Sequence, residues 1–412
     1  MTTTTTTGLV LTGGGARAAY QVGVLKALSQ ILRDRGAPER NPFPVITGTS
    51  AGAINAAALA CHADDFHGAV AALCEVWSNF SADQVYRAES LGVIRTGASW
   101  LTMMSIARAV ARFRRAQPRS LLDNTPLAGL LGRLVDTERL PRLMRAGHLR
   151  ALAVTASSYG SGHHLTFYDA VHHIEPWLRS QRVAVRGPIT VAHLLASSAI
   201  PFVFPAVPLA IGAHLEHCGD GSMRQAAPIS PAIHLGAERM LIVGAGRMHE
   251  PPGERPASPA YPNFAQIAGH ALSNIFLDSL AVDVERMQRI NRTLALLSPD
   301  ARAASGLKPL EALVIAPSQR LDDIAARHLG SLPREIRALL RGLGASRGRD
   351  ASGAALASYL LFEAPYTREL MALGVLDTVA RRDEVMTLFG WERRAQPRSS
   401  SLDPASRPDR IG

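Results

Sequence analysis

The sequence predicts an α/β fold in which helices cover a mainly parallel sheet. An apolar strand, a glycine-rich turn and a helix occur in that order twice within the first 60 residues. Such alternation is typical of parallel sheets with helices on their faces. The chain has 412 residues, of which 47% are hydrophobic, so it can bury a large core as one big domain or two smaller ones.

The first of these units contains the segment LVLTGGGARAAYQVGVL. Residues 9–12 read as a short buried strand, and residues 16–32 read as a helix with its apolar residues on one face. The spacing G-x-G-x-x-A that starts at Gly13 matches the loop of dinucleotide-binding proteins. A Rossmann fold also needs an acidic residue at the end of the second strand, whereas Asp34 lies before that strand. The P-loop pattern G-x-x-x-x-G-K-[ST] is absent from the sequence.

The second unit places a serine in a glycine-rich turn. Residues 45–47 read as a strand, GTSAG follows at once, and residues 53–61 read as a helix. This context is the one that a nucleophile elbow requires, because its strained turn needs small residues two positions before and after the serine. Gly48 and Gly52 occupy those positions around Ser50. The alternative is that Ser50 only caps the following helix.

The two glycine-rich turns are expected to lie side by side. Parallel α/β sheets place their functional loops at the carboxyl ends of neighbouring strands. Residues without a Cβ let backbone N–H groups approach a tetrahedral intermediate, and the helix N-terminus adds its dipole. We therefore interpret Gly13, Gly14 and Gly15 as an oxyanion hole beside the serine turn, rather than as a pyrophosphate site.

A nucleophilic serine needs a base. The only acid set in a tight turn between apolar segments is Asp220, in the stretch CGDGS, and its flanking glycines let the carboxylate approach another loop. The histidines that follow along the chain are His234, His249, His270 and His328. No motif supports any of them as a base. A Ser–Asp dyad therefore fits the sequence better than a Ser–Asp–His triad.

The rest of the chain continues the α/β pattern. Further strands are predicted at residues 149–157, 164–168, 240–244 and 312–316, with a hairpin at 209–217. Helices are predicted within residues 64–148 and at 191–198, 354–362 and 368–389. We expect one domain over residues 8–390, with a helical C-terminal part over 264–390. Residues 1–7 and 391–412 are predicted to be disordered tails.

The charge of the chain favours an anionic partner. The formal net charge is +10, and nearly all of the positive charge is arginine. Because aromatics make up only 5% and no nucleic-acid motif is present, an anionic membrane surface is favoured over nucleic acid. Residues 99–115 read as a basic amphipathic helix. This helix is interpreted either as a lid or membrane contact, or as an ordinary surface helix whose apolar side faces the core.

The cysteines and the N-terminus indicate a cytoplasmic protein. Cys61, Cys74 and Cys218 are scattered and give neither a disulfide framework nor a metal spacing. The N-terminal MTTTTTTG lacks the features of a signal peptide, and no apolar stretch is long enough to span a membrane. Peripheral contact with the membrane is left open.

Four sequence blocks occur in order along the chain. They are GGGARAAYQVGVL, GTSAG, ASSAIPFVFP and DGS, all within residues 8–231. Together they resemble the patatin-like phospholipase family, and its bacterial branch most closely. Residues 221–233 and 358–377 are also similar to members of that family. This chain has Thr12 and Ala18 where the family often has Asp and Gly, and Ser222 where it often has Gly or Ala.

The resemblance implies a fold, a site and an activity. The fold would be a three-layer α/β/α sandwich with a mainly parallel central sheet and additional C-terminal helices. The site would consist of the nucleophile Ser50, the base Asp220, an oxyanion hole with Arg17 beside it, and a dyad turn through Gly221 and Ser222. It would require no metal and no cofactor.

The activity implied is hydrolysis of acyl esters in phospholipids or other lipids, of the phospholipase A type and through an acyl-enzyme. The alternative is a non-catalytic lipid-binding or regulatory protein on the same fold.

Overall fold

A computed structural model describes residues 5–36, 39–87, 120–248, 264–342 and 351–390. The predicted amphipathic helix 99–115 and the predicted C-terminal tail lie outside these ranges. So do the first four residues of the predicted N-terminal tail. The prediction of a disordered tail over residues 1–7 is wrong at Thr7, because Thr7 pairs with Arg239 in the sheet.

The described residues form a ten-stranded sheet. Its strands are β1 Thr7–Leu11, β2 Val45–Thr49, β3 Ala151–Ser158, β4 His164–Ala170, β5 Leu178–Arg179, β6 Arg182–Arg186, β7 Val207–Ile211, β8 His214–Asp220, β9 Arg239–Val243 and β10 Glu311–Ile315. The order is β10-β9-β1-β2-β3-β4-β6-β5, and the β7–β8 hairpin is attached through β8 to β3. The strands from β10 to β3 are parallel to one another, which confirms the predicted mainly parallel sheet.

Helices pack on both faces of this sheet. They are α1 Ala19–Asp34, α2 Ala51–Ala60, α3 Phe66–Ser78, α4 Thr125–Leu134, α5 Leu140–Arg145, α6 Val191–Ser197, α7 Ser230–His234, α8 Phe264–Leu296, α9 Pro299–Ala304, α10 Leu321–His328, α11 Arg334–Gly342, α12 Ala351–Leu360, α13 Ala364–Ala380 and α14 Arg382–Phe389.

Two apolar cores result from the alternation of side chains along the strands. On β1, Leu9 and Leu11 belong to one core, which contains α1, α2 and α3. Val10 belongs to the other core, which contains residues of α7 and α8. This is the predicted three-layer α/β/α arrangement.

The element predictions were correct for the central strands and less accurate elsewhere. The helix expected from residue 16 starts as a 3-10 turn, Gly15–Ala18, before α1 begins. The single helix expected over residues 368–389 is two helices, because Arg381 has a non-helical ψ of 25° between α13 and α14. The short strands β5 and β6 were not predicted.

The helical C-terminal part packs directly on the first helix. Gly23 of α1 faces the backbone of α13, and a Cβ at that position would overlap with the carbonyl oxygen of Met371. Nearby, the Tyr20 hydroxyl donates a hydrogen bond of 2.9 Å to Asp377 Oδ2. The absence of a side chain at Gly23 therefore lets the two backbones touch.

Replacing Gly23 with Ala should destabilise the protein by about 1–3 kcal/mol, because the new methyl group forces α1 and α13 apart. Urea unfolding monitored by circular dichroism measures this loss. Gly132→Ala is the matched control, since Gly132 is also helical and has no atom within 4 Å of an added Cβ. That variant should be neutral or more stable. Equal stabilities of the two variants would contradict the close helix contact.

Candidate active site

Ser50 lies in the sharp turn between β2 and α2. Its φ is 55°, in a region that non-glycine residues seldom adopt. The side chain does not cap α2. Instead, its Oγ donates a hydrogen bond of 2.6 Å to Asp220 Oδ2, and its backbone N–H donates one of 2.8 Å to Ser197 Oγ. The geometry therefore does not support the interpretation that Ser50 only caps α2.

Strand pairing explains how residues 170 positions apart meet. On β3, Thr155 pairs with Thr49 of β2, and the next residue, Ala156, pairs with Asp220 of β8. Both strands pair with the same side of β3, since β4 occupies its other side, and they run toward each other, so their carboxyl ends meet there.

Asp220 is completely buried. Its Oδ1 accepts a hydrogen bond of 2.9 Å from the backbone N–H of Ser222, and its Oδ2 accepts the one from Ser50. Burial raises the pKa of Asp220 from an ordinary value near 3.8 to about 6, although the hydrogen bonds from Ser50 and Ser222 act in the opposite direction. The carboxylate is thus ionised at neutral pH but is a stronger base than an exposed aspartate.

The glycines that flank Ser50 and Asp220 lie where a side chain would collide with the backbone. A Cβ on Gly48 would lie 2.5 Å from the carbonyl oxygen of Gly52. A Cβ on Gly221 would lie 2.5 Å from the carbonyl oxygen of Thr155. A Cβ on Gly52 would overlap with the carbonyl oxygen of Thr12, so the serine turn touches the start of the glycine loop. The serine turn and the glycine loop are therefore adjacent, as expected.

The glycine loop connects β1 to α1. Gly13, Gly14 and Gly15 are all buried, and Gly15 lines the same cavity as Ser50. Gly15 has a φ of 54°, and a Cβ there would overlap with the carbonyl oxygen of Tyr359 at the end of α12. The loop is thus held between the serine turn and the C-terminal helices.

The Arg17 side chain is buried against those same helices. Its Nε donates a hydrogen bond of 2.8 Å to Ser358 Oγ, and its Nη2 is paired with the carboxylate of Asp322. The guanidinium carbon lies 4.0 Å from the centre of the Tyr359 ring. The backbone N–H of Arg17 bonds to the carbonyl oxygen of Gly14 at 3.1 Å. Arg17 therefore connects the glycine loop to α10 and α12.

Several supporting residues were not found from the sequence. Ser197 lies inside the block ASSAIPFVFP, so its position was within a recognised segment although its bond to Ser50 was not foreseen. Asp322, Ser358 and Tyr359 lie more than 300 residues from the glycine loop, and no local pattern marks their role.

Ser50 and Gly15 line an apolar cavity. It contains about 840 Å³ of empty space, including the part open to solvent. Its walls come from α2, α3 and α4, with Ile200, Phe204 and Phe362 also lining it. The lining is almost entirely apolar.

No histidine hydrogen-bonds to Ser50 or Asp220 within the part of the chain that the structure describes. His164 is buried in the neighbouring strand β4, and burial lowers the pKa of its ring to about 4. His249 lies outside the described residues. In the described ranges, no group of three or more His, Cys, Asp or Glu side chains could hold a metal ion. None of the described helices combines the length and the apolarity needed to cross a bilayer.

Asp220→Asn should stabilise the protein above pH 6 by up to about 3 kcal/mol. Since the folded-state pKa is raised, the native wild type binds more protons than the unfolded chain between pH 3.8 and about 6. The stability of the wild type therefore falls as pH rises through that window. The Asp220→Asn protein does not lose this stability, because its amide has no charge to bury. Urea unfolding of both proteins at about pH 4 and about pH 8 measures the difference. A stability difference that does not change with pH would contradict an ionised, buried Asp220.

Asp322→Ala should cost about 3 kcal/mol of stability, because it leaves the buried Arg17 guanidinium without its ion partner. Urea unfolding measures the loss. The control is Asp323→Ala at the next, exposed position of α10, which should cost less than about 1 kcal/mol. If the two variants lose the same stability, Arg17 is not held by Asp322 in the way described.

Residues 9–233, more than half of the chain, match the sequence model described as patatin-like phospholipase. Among solved structures, VipD from Legionella pneumophila is 13% identical with a TM-score of 0.30, over 90% of this chain and 67% of VipD. ExoU in the ExoU–SpcU complex of the type III secretion system of Pseudomonas aeruginosa is 17% identical with a TM-score of 0.25, over 93% of this chain and 76% of the other. A search of curated proteins found no match. On the match of its sequence over residues 9–233, the chain belongs to the patatin-like phospholipase family.

Proposed function

We propose that this protein is a lipid acyl hydrolase of the phospholipase A type that uses Ser50 as its nucleophile and Asp220 as its base. Family membership supports lipid hydrolysis in general. The observation that carries the finer proposal is the buried 2.6 Å hydrogen bond from Ser50 Oγ to Asp220 Oδ2, with Ser50 in the wall of an apolar cavity.

In the first half of the reaction, the Asp220 carboxylate accepts the Ser50 proton while Ser50 Oγ attacks the ester carbonyl carbon. A pKa of about 6 suits this step, because a general base works best when its pKa lies near the working pH. The carbonyl oxygen becomes an oxyanion, which backbone N–H groups of Gly14 and Gly15 stabilise. Each such donor contributes about 3 kcal/mol in related sites. The tetrahedral intermediate then collapses, and Asp220 returns the proton to the departing alcohol oxygen.

In the second half, a water molecule replaces the alcohol. Asp220 takes a proton from the water, the resulting hydroxide attacks the acyl carbon, and the oxyanion forms again in the same place. Collapse expels Ser50 Oγ, which regains its proton from Asp220. The acyl chain leaves as a fatty acid, so the net reaction consumes one ester and one water and restores both side chains.

Arg17 supports the oxyanion hole indirectly in this proposal. Its guanidinium is bound by Ser358 and Asp322, and its backbone holds Gly14. We assign it the role of positioning the loop rather than of binding the oxyanion with its side chain. Ser222 is assigned a similar role, since its N–H orients the Asp220 carboxylate.

The net charge of +10 further favours an anionic lipid surface as the place of reaction. Peripheral association would let the enzyme take its substrate directly from a bilayer. The predicted basic helix 99–115, for which a lid or membrane contact is one of two interpretations, lies outside the described residues.

The alternative function is a non-catalytic lipid-binding protein on the same fold. A binding module has no need of a serine at a φ of 55° that is bonded to a completely buried aspartate, because both features cost stability. Labelling of Ser50 by a fluorophosphonate separates the two possibilities.

Ser50→Ala and Asp220→Asn should each lower hydrolysis of p-nitrophenyl esters by at least about a thousandfold, since each removes a group that acts in both half-reactions. The assay is release of p-nitrophenol, with circular dichroism to show that the fold is retained. Asp300→Asn, at an exposed position of α9, is the control and should keep full activity. Full activity of the Asp220→Asn enzyme would refute the dyad.

A further inference from the structure

The cavity beyond Ser50 runs along one side of α2. Its α2 lining residues are Ala51, Ile54 and Ala58, followed by His62 in the turn after the helix. These positions are three or four residues apart, so they form one continuous face. From Ala51 to His62 the face extends for about 16 Å at the helical rise of 1.5 Å per residue.

The chemistry of the walls restricts what the cavity can hold. Apart from the partly exposed His62, no acidic or basic side chain of the described residues lines it. A phosphate or a charged head group would lose its hydration there without compensation. A hydrocarbon chain would gain free energy from every methylene that it buries.

The length of the α2 face that lines the cavity corresponds to a long acyl chain. A fully extended chain advances about 1.2 Å per single bond, which is one third of the extended span of a residue. The α2 face of about 16 Å therefore accommodates about 13 bonds.

Two alanines create the space at the far end. Ala58 lies two turns of α2 away from Ser50, and Ala69 lies in the first turn of α3. Because only the short turn after Ala60 separates these helices, the start of α3 is next to the end of α2. Both alanines line the cavity, and Ala69 is 5% exposed. A larger side chain at either position would fill the distal half and leave the Ser50 end unchanged.

We infer that this cavity holds one long unbranched acyl chain alongside α2, and that Ala58 and Ala69 set the chain length that the protein prefers. The part of the inference that concerns catalysis rests on the proposed function, because the acyl carbonyl must lie at Ser50 for the chain to extend along α2. The head group or other leaving alcohol stays outside the cavity.

The test compares p-nitrophenyl butyrate, octanoate, laurate and palmitate, each dispersed in the same detergent. For the wild type, kcat/KM should rise from butyrate to laurate. Ala58→Leu and Ala69→Leu should each lower the laurate-to-butyrate ratio by at least about tenfold, since each methylene that no longer enters changes the ratio about fourfold. Butyrate hydrolysis should stay within about twofold of wild type, because a short chain does not reach Ala58.

Ala71→Leu is the matched control. It makes the same change on α3 at an exposed position that does not line the cavity, so the chain-length profile should match the wild type. A profile that is unchanged in both Ala58→Leu and Ala69→Leu, with butyrate hydrolysis intact, would overturn the inference. So would a wild type with no gain from butyrate to laurate.

A binding measurement separates this inference from the proposed function. Laurate should bind to the Ser50→Ala protein in isothermal titration, and adding Ala58→Leu should weaken the binding by about tenfold, whereas adding Ala71→Leu should not. If the wild type hydrolyses no ester but this difference in binding is seen, the proposed function fails and the inference stands. If esters are hydrolysed but laurate binds equally to all of these variants, the inference fails and the function stands.

Discussion

The buried hydrogen bond between Ser50 and Asp220 is the interaction on which the arrangement of the site depends. Placing a carboxylate in a fully buried position is unfavourable, and the raised pKa of Asp220 expresses that cost. The sheet holds the two residues together, because β2 and β8 pair with the same side of β3 and run toward each other, so that their carboxyl ends meet. The glycines around both residues then allow the backbones to come close enough for the side chains to meet.

The Ser50–Asp220 site could be predicted from the sequence because the patterns that mark it are local. The strand–turn–helix order around Ser50 and the flanking glycines of Asp220 are short patterns with a steric reason, so both turns and their adjacency could be expected. The central strands were predictable for a similar reason, since they are continuous apolar runs. The strands β5 and β6, at one end of the sheet, were missed because their residues are mostly exposed or half-buried and lack such a run.

Long-range partners could not be predicted from local patterns. Ser197 accepts a bond from the Ser50 backbone, and Asp322 pairs with Arg17, only because the sheet and the C-terminal helices bring distant segments together. The break between α13 and α14 at Arg381 was missed because the apolar pattern continues through it. The cavity was also not foreseen, since its walls come from separate helices and its space arises from alanines that look like ordinary helix formers.

The contact between Gly15 and the carbonyl of Tyr359 has a consequence for the way the protein is made. A ribosome synthesises the glycine loop and the serine turn well before Asp322, Tyr359 and the cavity residue Phe362. The loop is thus without its outer support until those residues have been made. In a cell whose own membranes contain acyl esters, this order of synthesis would delay a fully supported lipid hydrolase site until the C-terminal helices are in place.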